Sequence, residues 1–310
     1  GTAKNVSVSG LSINSATNGT ASVYGYQLTT STLSGNVGDI TQKEVTLSAS
    51  KTYDGTTDLT GGVNITTGVG AETLNYSSAT SNDAHVATAN KYVNAITLED
   101  GTGLASNYAL PTLDVLNAPV TITAATLTPT ISNVGVTKTY DGTLNASSGF
   151  TPTYTFGGLV AGDSAATLSY SSANYDNKDV TNATKVTLLG LAIGSITGIN
   201  GSNANDYLLD ANTKEVGATI TKASLSVTAN NDAKFVTQAD GGFAGVVYNG
   251  FVAGESSADI TTGGLSITRT NSGTNTAGVY SGVLQASGLT ANNYSFNYVD
   301  GDYTIVPSDQ

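Results

Sequence analysis

The chain has 310 residues, which suggests about two or three domains, and it contains no Cys, Met or Trp. Without Cys it forms neither disulfides nor zinc–thiolate sites. Its formal net charge is −12 and it has no basic run, so we expect no binding to nucleic acid or to anionic membrane surfaces. No apolar stretch approaches the ~20 residues that a membrane-spanning helix needs, so membrane insertion is not expected either.

The composition is that of a folded protein rich in β-structure. Hydrophobic residues make up 39% of the chain, and they alternate with Thr and Ser in runs such as 119–123 and 218–221. A period of two is typical of a strand with one buried and one solvated face. We therefore predict an all-β fold, with Ig-like β-sandwich repeats in an elongated tandem array. A β-grasp-like unit, with one sheet over a short helix, is the alternative.

The elements repeat along the chain, beginning with residues 1–48. These contain Tyr24 and then an alternating run, the order in which later repeats end, so we predict the second half of a repeat cut from a longer chain. Such a half would leave apolar strands with an open face and unpaired edges. Residues 49–126 and 127–227 are predicted as complete repeats, each opening near a Lys-Thr-Tyr-Asp-Gly-Thr motif. Residues 228–307 open with a degenerate copy and form the last repeat.

The Lys-Thr-Tyr-Asp-Gly-Thr motif is interpreted as a structural corner. Asp can hydrogen-bond the backbone two residues further on, and Gly supplies the positive φ that such turns need. The Tyr is expected to bury its ring while its hydroxyl meets a backbone group. A binding role for the same residues is the alternative. The motif residues are Lys51, Tyr53, Asp54 and Gly55 in the first copy, and Lys138, Tyr140, Asp141 and Gly142 in the second.

A second Tyr recurs toward the end of each repeat, in segments such as ASNYAL and ANDYLL. A Tyr at a fixed place in a sandwich is similar to a tyrosine corner, which predicts a buried ring. The alternative is an aromatic platform for a sugar, which requires exposed rings. The positions are Tyr24, Tyr108, Tyr207 and Tyr294.

Catalytic chemistry is hard to assemble from these residues, and we expect the protein not to be an enzyme. His85 is the only His and lies in a polar stretch. Asp163 and Glu255 would suit a glycosidase that uses two carboxylates. They recur at equivalent places in two repeats, however, which favours a structural role.

Two loops are rich in the oxygen ligands that calcium prefers. The first contains Asp176 and Asp179, and the second contains Asp206. Neither has the spacing of an EF-hand, and ordinary turns are the alternative to a calcium site. No other cofactor is expected.

The motifs together resemble known repeat families. KTYDGTT and KTYDGTL, with the later GGLVAGD and Tyr segments, look like YDG-type repeats, and AKF, GFVAGE and YTIVP look like the related Gly-rich MBG type. The last repeat departs from that type because Phe235 stands where Tyr is usual. Such repeats occur in large bacterial surface and secreted adhesins, including filamentous-haemagglutinin-like exoproteins. The resemblance implies extracellular β-domains and supplies no ligand.

On this resemblance we expect a non-catalytic stalk or spacer, or part of the adhesive region, that serves attachment or biofilm formation. The alternative is a carbohydrate-binding module for an exopolysaccharide or a host glycan. The other expected partners are neighbouring repeats of a longer chain, and the segment itself is expected to be monomeric.

A covalent crosslink is a further possibility. Lys51, Lys138 and Lys234 recur at the opening strand of three repeats, and an Asn recurs beside the repeated Tyr. A Lys and an Asn can join as an amide, as happens in some bacterial surface proteins, when a buried carboxylate lies beside the pair. The sequence does not place such a carboxylate.

Overall fold

A computed structural model describes residues 3–146, 150–259 and 263–307, and most regular elements in these ranges are β-strands. The prediction of an all-β fold is confirmed. The helical elements of these ranges are 3-10 turns of three residues each, Ala105–Asn107, Ala204–Asp206 and Ser257–Asp259. The β-grasp alternative, which needs a short helix over its sheet, finds no support in the described residues.

The chain divides into two compact units, the first formed by residues 1–125 and 160–162 and the second by residues 126–159 and 163–310. The first unit opens with an N-terminal segment of short strands, which are β1 (Lys4–Ser9), β2 (Thr17–Asn18), β3 (Ala21–Ser22) and β4 (Thr32–Gly38). β1 pairs antiparallel with β4, and β2 pairs with β3. Apolar side chains of β4 remain exposed, Leu33 by 69% and Val37 by 82%.

The first block completes this unit. Its strands are β5 (Lys43–Glu44), β6 (Thr46–Thr52), β7 (Val63–Thr66), β8 (Leu74–Ser81), β9 (Val93–Asp100), β10 (Tyr108–Ala109) and β11 (Val120–Thr123). β6 pairs antiparallel with β7 and parallel with β11, while β5 pairs parallel with β10 and β8 antiparallel with β9. Leu47 and Ala49 of β6 and Val120 and Ile122 of β11 are buried, with exposed or half-buried residues between them.

The second block lies in the second unit. Its strands are β12 (Ala125–Ile131), β13 (Val136–Thr139), β14 (Tyr154–Gly157), β15 (Asp163–Ser169), β16 (Ser172–Tyr175), β17 (Lys185–Leu189), β18 (Ala192–Gly198), β19 (Tyr207–Leu209) and β20 (Thr213–Thr221). They form sheets of order β14-β12-β19 and β13-β20-β17-β16, together with the pair β15-β18. The opening strand is thereby divided between two sheets, and β13 lies parallel to the last strand, β20.

The third block repeats this plan. Its strands are β21 (Ala223–Ala229), β22 (Asp232–Phe235), β23 (Val246–Asn249), β24 (Ser266–Arg269), β25 (Gly278–Ser287), β26 (Tyr294–Val299) and β27 (Gly301–Val306). They form sheets of order β23-β21-β26 and β22-β27-β25-β24. β22 again lies parallel to the last strand, β27.

Strand pairing starts each block earlier than the motif suggests. β21 begins at Ala223 and pairs with β23 and β26, so the predicted boundary between 227 and 228 cuts a paired strand. The second block likewise begins at Ala125 and the first at Lys43, before the predicted starts at 127 and 49. The motif marks the second part of the opening strand, and the part before it carries no comparable signature.

The second and third blocks share one hydrophobic cluster. Val186, Leu188 and Ile220 of the second block belong to it, and so do Ala223, Leu225 and Tyr294 of the third. The connection from β20 to β21 is a single residue, Lys222. The Nζ of Lys222 donates to the carbonyl of Ala291, 2.8 Å away in the third block.

Candidate functional site

Each complete motif copy forms a turn closed by its Asp. Asp54 Oδ1 accepts hydrogen bonds from the backbone N and the Oγ1 of Thr56, both at 2.9 Å. Gly55 between them has φ 79°, a conformation that side chains with a Cβ seldom adopt. Asp141 accepts from Thr143 in the same way, across Gly142.

The motif Lys fixes the other side of the turn. Lys51 Nζ lies 2.6 Å from Asp54 Oδ1, and it donates to the carbonyls of Thr56 at 2.9 Å and Asp58 at 2.7 Å. The ammonium thus satisfies backbone acceptors that the tight turn leaves unpaired. Sequence reasoning singled out this Lys without finding its partners.

The second copy has the same geometry and is more deeply buried. The Lys138 side chain is 3% exposed, and its Nζ bonds Asp141 Oδ1 and the Thr143 carbonyl at 2.7 Å and the Asn145 carbonyl at 2.9 Å. Burial acts to raise the pKa of Asp141, but the hydrogen bonds from Lys138 and Thr143 outweigh it and hold this pKa below its ordinary value. The motif is therefore a self-contained ionic turn.

The third block replaces the ionic turn with a buried charge cluster. Lys234 Nζ lies 2.7 Å from Asp240 Oδ1, and Arg269 Nε lies 3.0 Å from the other oxygen, Oδ2. Lys234 Nζ also donates to the side-chain oxygen of Asn275 at 2.6 Å. The ring of Tyr303 lies 4.7 Å from the Arg269 guanidinium carbon. Sequence reasoning did not connect Arg269 or Asn275 to the motif, since neither belongs to a repeated pattern.

The motif Tyr is buried in both complete copies, and in the second copy its hydroxyl meets a side chain. Tyr53 and Tyr140 are 2% and 3% exposed. Tyr140 donates to the carboxylate of Glu255 in the third block at 2.5 Å, where a backbone group had been expected. Tyr294 donates to the other oxygen of the same carboxylate. We call Tyr140, Glu255 and Tyr294 the tyrosine clamp.

The hydrogen bond from a Tyr to a carboxylate of the same block, which Tyr294 and Glu255 form in the clamp, is present in all three blocks. The later Tyr of each block is buried, and its hydroxyl donates to an acidic side chain that opens or precedes an earlier strand of that block. The pairs are Tyr108 with Glu72, Tyr207 with Asp163, and Tyr294 with Glu255.

Glu72 was missed by sequence reasoning, although a signal for it exists. It follows Val69 by three positions, as Asp163 follows Val160 and Glu255 follows Val252. The two residues between the Val and the acid are Gly-Ala before Glu72 but Ala-Gly before Asp163 and Glu255, and this reversed order hides the match.

The clamp lies in a densely packed junction between the second and third blocks. The rings of Tyr140 and Tyr294 meet edge to face with centroids 5.7 Å apart, and Phe251 packs on Tyr294 at 5.6 Å. Asn293 Nδ2 donates to Asp179 Oδ1 at 2.9 Å, while Asn293 Oδ1 accepts from the backbone of residue 180 at 3.0 Å. Burial, followed by the hydrogen bond to Glu255, raises the pKa of Tyr294 to about 12 and raises that of Tyr140 as well.

The predicted calcium residues are engaged within the chain. Asp176 accepts from the backbone and hydroxyl of Thr184, and Asp179 accepts from Asn293 and Lys178. Asp206 is fully buried and takes part in the reciprocal cap of the 3-10 turn that follows Asn203. Among the described residues no group of three His, Cys, Asp or Glu side chains is arranged to hold a metal ion.

The remaining candidates lie apart from the junction. Tyr24 is 88% exposed, in contrast to its three buried counterparts, and Tyr26 beside it is 65% exposed. The ring of His85 stacks against Tyr53 with centroids 6.0 Å apart. Within the described ranges, no helix is long and apolar enough to cross a membrane.

A polar cavity of about 250 Å³ opens beside the clamp. It is lined by amide, hydroxyl and charged groups, among them Lys178, Asp179, Asn182, Asp259 and Asn292.

Comparison with protein families identifies two domains in this chain. Residues 123–216 match the YDG domain, and residues 225–304 match the MBG domain of the YGX type. The chain therefore contains a YDG domain, which corresponds to the second block, and an MBG domain, which corresponds to the third. No curated protein and no solved structure matched the chain.

Proposed function

We propose that this chain is a non-catalytic spacer segment of an extracellular bacterial adhesin, and that it holds an adhesive region away from the cell during attachment or biofilm formation. YDG and MBG domains are compatible with a repeat region of that kind. The observation that carries the proposal is the hydrophobic cluster shared by the YDG and MBG domains. A spacer transmits distance only when successive domains keep a fixed orientation.

Three features of the junction restrict motion between these two domains. The connection is one residue long, so it offers few backbone torsions for bending. The tyrosine clamp joins Tyr140 to Glu255 across the junction, and the Asn293–Asp179 pair adds a second polar link. Interfaces between domains that are polar and small allow relative motion, whereas a shared apolar core opposes it.

Small-angle scattering of the full chain tests the proposal. A compact globule of this length has a radius of gyration of roughly 20 Å. Repeats arranged in line would form a rod. With strands of about eight residues, each residue rising roughly 3.3 Å, plus turns, such a rod has a radius of gyration of about 35–40 Å. We expect the larger value, and a value near 20 Å would contradict the spacer function.

Two insertion variants of equal length test whether the junction between the YDG and MBG domains is stiff. A flexible Gly-Ser insertion after Lys222 should broaden the distribution of interatomic distances, because it uncouples the two domains. The same insertion after Val134, which is 92% exposed in a loop within the second block, should leave the distribution almost unchanged. Equal effects from both insertions would contradict a stiff junction.

Glycan binding is the second candidate function, and it is favoured by the exposed rings of Tyr24 and Tyr26. Tyr108, Tyr207 and Tyr294 are buried and cannot offer a face to a sugar. A glycan array probed with the full chain and with a Tyr24→Ala, Tyr26→Ala variant tests this role. Binding that disappears in this variant, and persists in a Leu116→Ala control at another exposed apolar site, would establish it.

A further inference from the structure

The charge cluster of the MBG domain differs from the ionic turns in one chemical respect. Lys51 and Lys138 meet a carboxylate and backbone carbonyls. Lys234, on the corresponding strand, meets a carboxylate and the side-chain carboxamide of Asn275. A side-chain carboxamide can acylate an amine, because its nitrogen can depart as ammonia without breaking the main chain.

The reacting atoms lie close together. Lys234 Nζ is 2.6 Å from Asn275 Oδ1. Because a carbonyl bond is about 1.23 Å long, the carboxamide carbon lies within roughly 3.8 Å of the amine. Near-attack geometry requires a separation of about 3–3.5 Å, so a small rotation of the Asn275 side chain reaches it.

Asp240 is placed to accept the proton that the amine must lose. Its Oδ1 lies 2.7 Å from Lys234 Nζ, and its Oδ2 forms an ion pair with Arg269 Nε, 3.0 Å away. Arg269 Nη2 also donates to the carbonyls of Ser272 at 2.8 Å and Thr274 at 3.0 Å. Arg269 therefore acts as a positioning residue for both the carboxylate and the loop that carries Asn275.

We propose that Lys234 and Asn275 form an intramolecular amide bond in the folded protein, with Asp240 as the base. Lys234 Nζ passes a proton to Asp240 and attacks the Asn275 carboxamide carbon, which gives a tetrahedral intermediate. Asp240 returns that proton to the carboxamide nitrogen, the carbon–nitrogen bond of the carboxamide breaks, and the departing ammonia takes the second proton from Nζ and leaves as ammonium. The new bond joins Nζ to the carboxamide carbon, and no oxidant or reductant is consumed.

The charge balance of the cluster favours this product. Two cations, Lys234 with 6% of its side chain exposed and Arg269 with none, share the single carboxylate of Asp240. Excess buried charge is costly. The reaction removes the charge of Lys234 with the departing ammonium and leaves Arg269 and Asp240 as a balanced pair. Asn275 lies in an exposed loop, so the ammonia has a route to solvent.

Intact-mass spectrometry of the full chain is the first test. We expect a mass lower than the sequence mass by one ammonia molecule, and a peptide map in which the segments containing residues 234 and 275 are joined. Lys234→Arg keeps the positive charge beside Asp240 and should restore the full mass. Lys138→Arg makes the same change in the ionic turn and should retain the loss.

One further variant and one rival reaction complete the test. Asp240→Asn, checked by circular dichroism for its fold, should show the full mass because the base is missing. Ammonia is also lost when an Asn-Gly sequence such as Asn249–Gly250 cyclises on its own backbone, and that loss would persist in Lys234→Arg. A full mass in the unmodified chain, or a loss that persists in Lys234→Arg, overturns the proposal.

Discussion

Tyr140 of the YDG domain and Tyr294 of the MBG domain donate their hydroxyl hydrogens to the same carboxylate, that of Glu255. Their rings touch edge to face, and the edge of one ring presents hydrogens to the electron-rich face of the other. Tyr140 and Glu255 are 115 positions apart in sequence. The clamp therefore exists only when both domains are folded and docked, so its disruption reports on the junction itself.

Glu255→Gln should weaken the junction more than an equivalent surface change. The substitution keeps the shape of the side chain and removes the charge that strengthens two hydrogen bonds. Hydrogen bonds to charged groups contribute about 1.5–3 kcal/mol each, so we expect a loss of about 2–4 kcal/mol for the pair. Chemical denaturation measures this loss, with the exposed Glu99→Gln on β9 as the matched control. Equal effects of the two substitutions would show that the clamp does not stabilise the fold.

Lys138→Met should destabilise the YDG domain by about 2–3 kcal/mol, since the carbonyls of Thr143 and Asn145 lose their donor and Asp141 loses its cationic partner. The same change at Lys185, which forms an exposed ion pair with Glu215, should have little effect because water replaces the lost contact. Thermal unfolding of both variants gives the comparison. A neutral Lys138→Met would mean that the motif is retained for a reason other than stability.

The protein should lose stability at alkaline pH through its clamp. The folded-state pKa of Tyr294 is about 12, and that of Tyr140 is also raised above the ordinary value of 10.0. In the unfolded chain a Tyr hydroxyl loses its proton near pH 10.0, before the same hydroxyl does so in the folded protein. The stability that the raised pKa contributes is therefore complete below pH 10.0 and is lost as the pH rises toward the folded-state pKa. In a Tyr140→Phe, Tyr294→Phe variant the alkaline fall in melting temperature should be shallower. If the fall in melting temperature at alkaline pH is the same in this variant, groups other than Tyr140 and Tyr294 cause it.

A calcium chelator should leave the melting temperature almost unchanged. The carboxylates of Asp176, Asp179 and Asp206 already accept hydrogen bonds from the chain's own groups. A ligand present at 100 times its dissociation constant would contribute about 2.7 kcal/mol, which thermal unfolding detects easily. A clear drop on chelation, reversed by added calcium, would support a calcium site in these loops.

The parts of this structure that the sequence predicts are those set by nearby residues. The Asp141 turn closes within two positions and depends on Gly142, so the dipeptide alone indicates it. Pairings between distant residues leave no local trace. Lys138 and Lys234 occupy similar contexts, yet Lys138 finds its partners within its own turn, whereas Lys234 meets Asn275, which lies 41 positions away in sequence. The sequence suggests a Lys–Asn pair whose Asn lies beside the repeated Tyr. The Asn that actually contacts Lys234 is Asn275, and only the fold brings these two residues together.

The N-terminal segment should be the least protected part of the chain in hydrogen exchange. β1 pairs only with β4 among the described residues, and two-stranded pairs are marginally stable in water. Its side chains add little burial, since every residue of β1 is exposed. Amides of residues 4–38 should therefore exchange by local opening, whereas those of residues 218–225, in the core shared by the two domains, should need a larger unfolding event. Mass spectrometry after timed exchange resolves these ranges. Equal protection of residues 4–38 and 218–225 would mean that the segment has a stabilising partner and that the predicted half repeat at 1–48 is wrong.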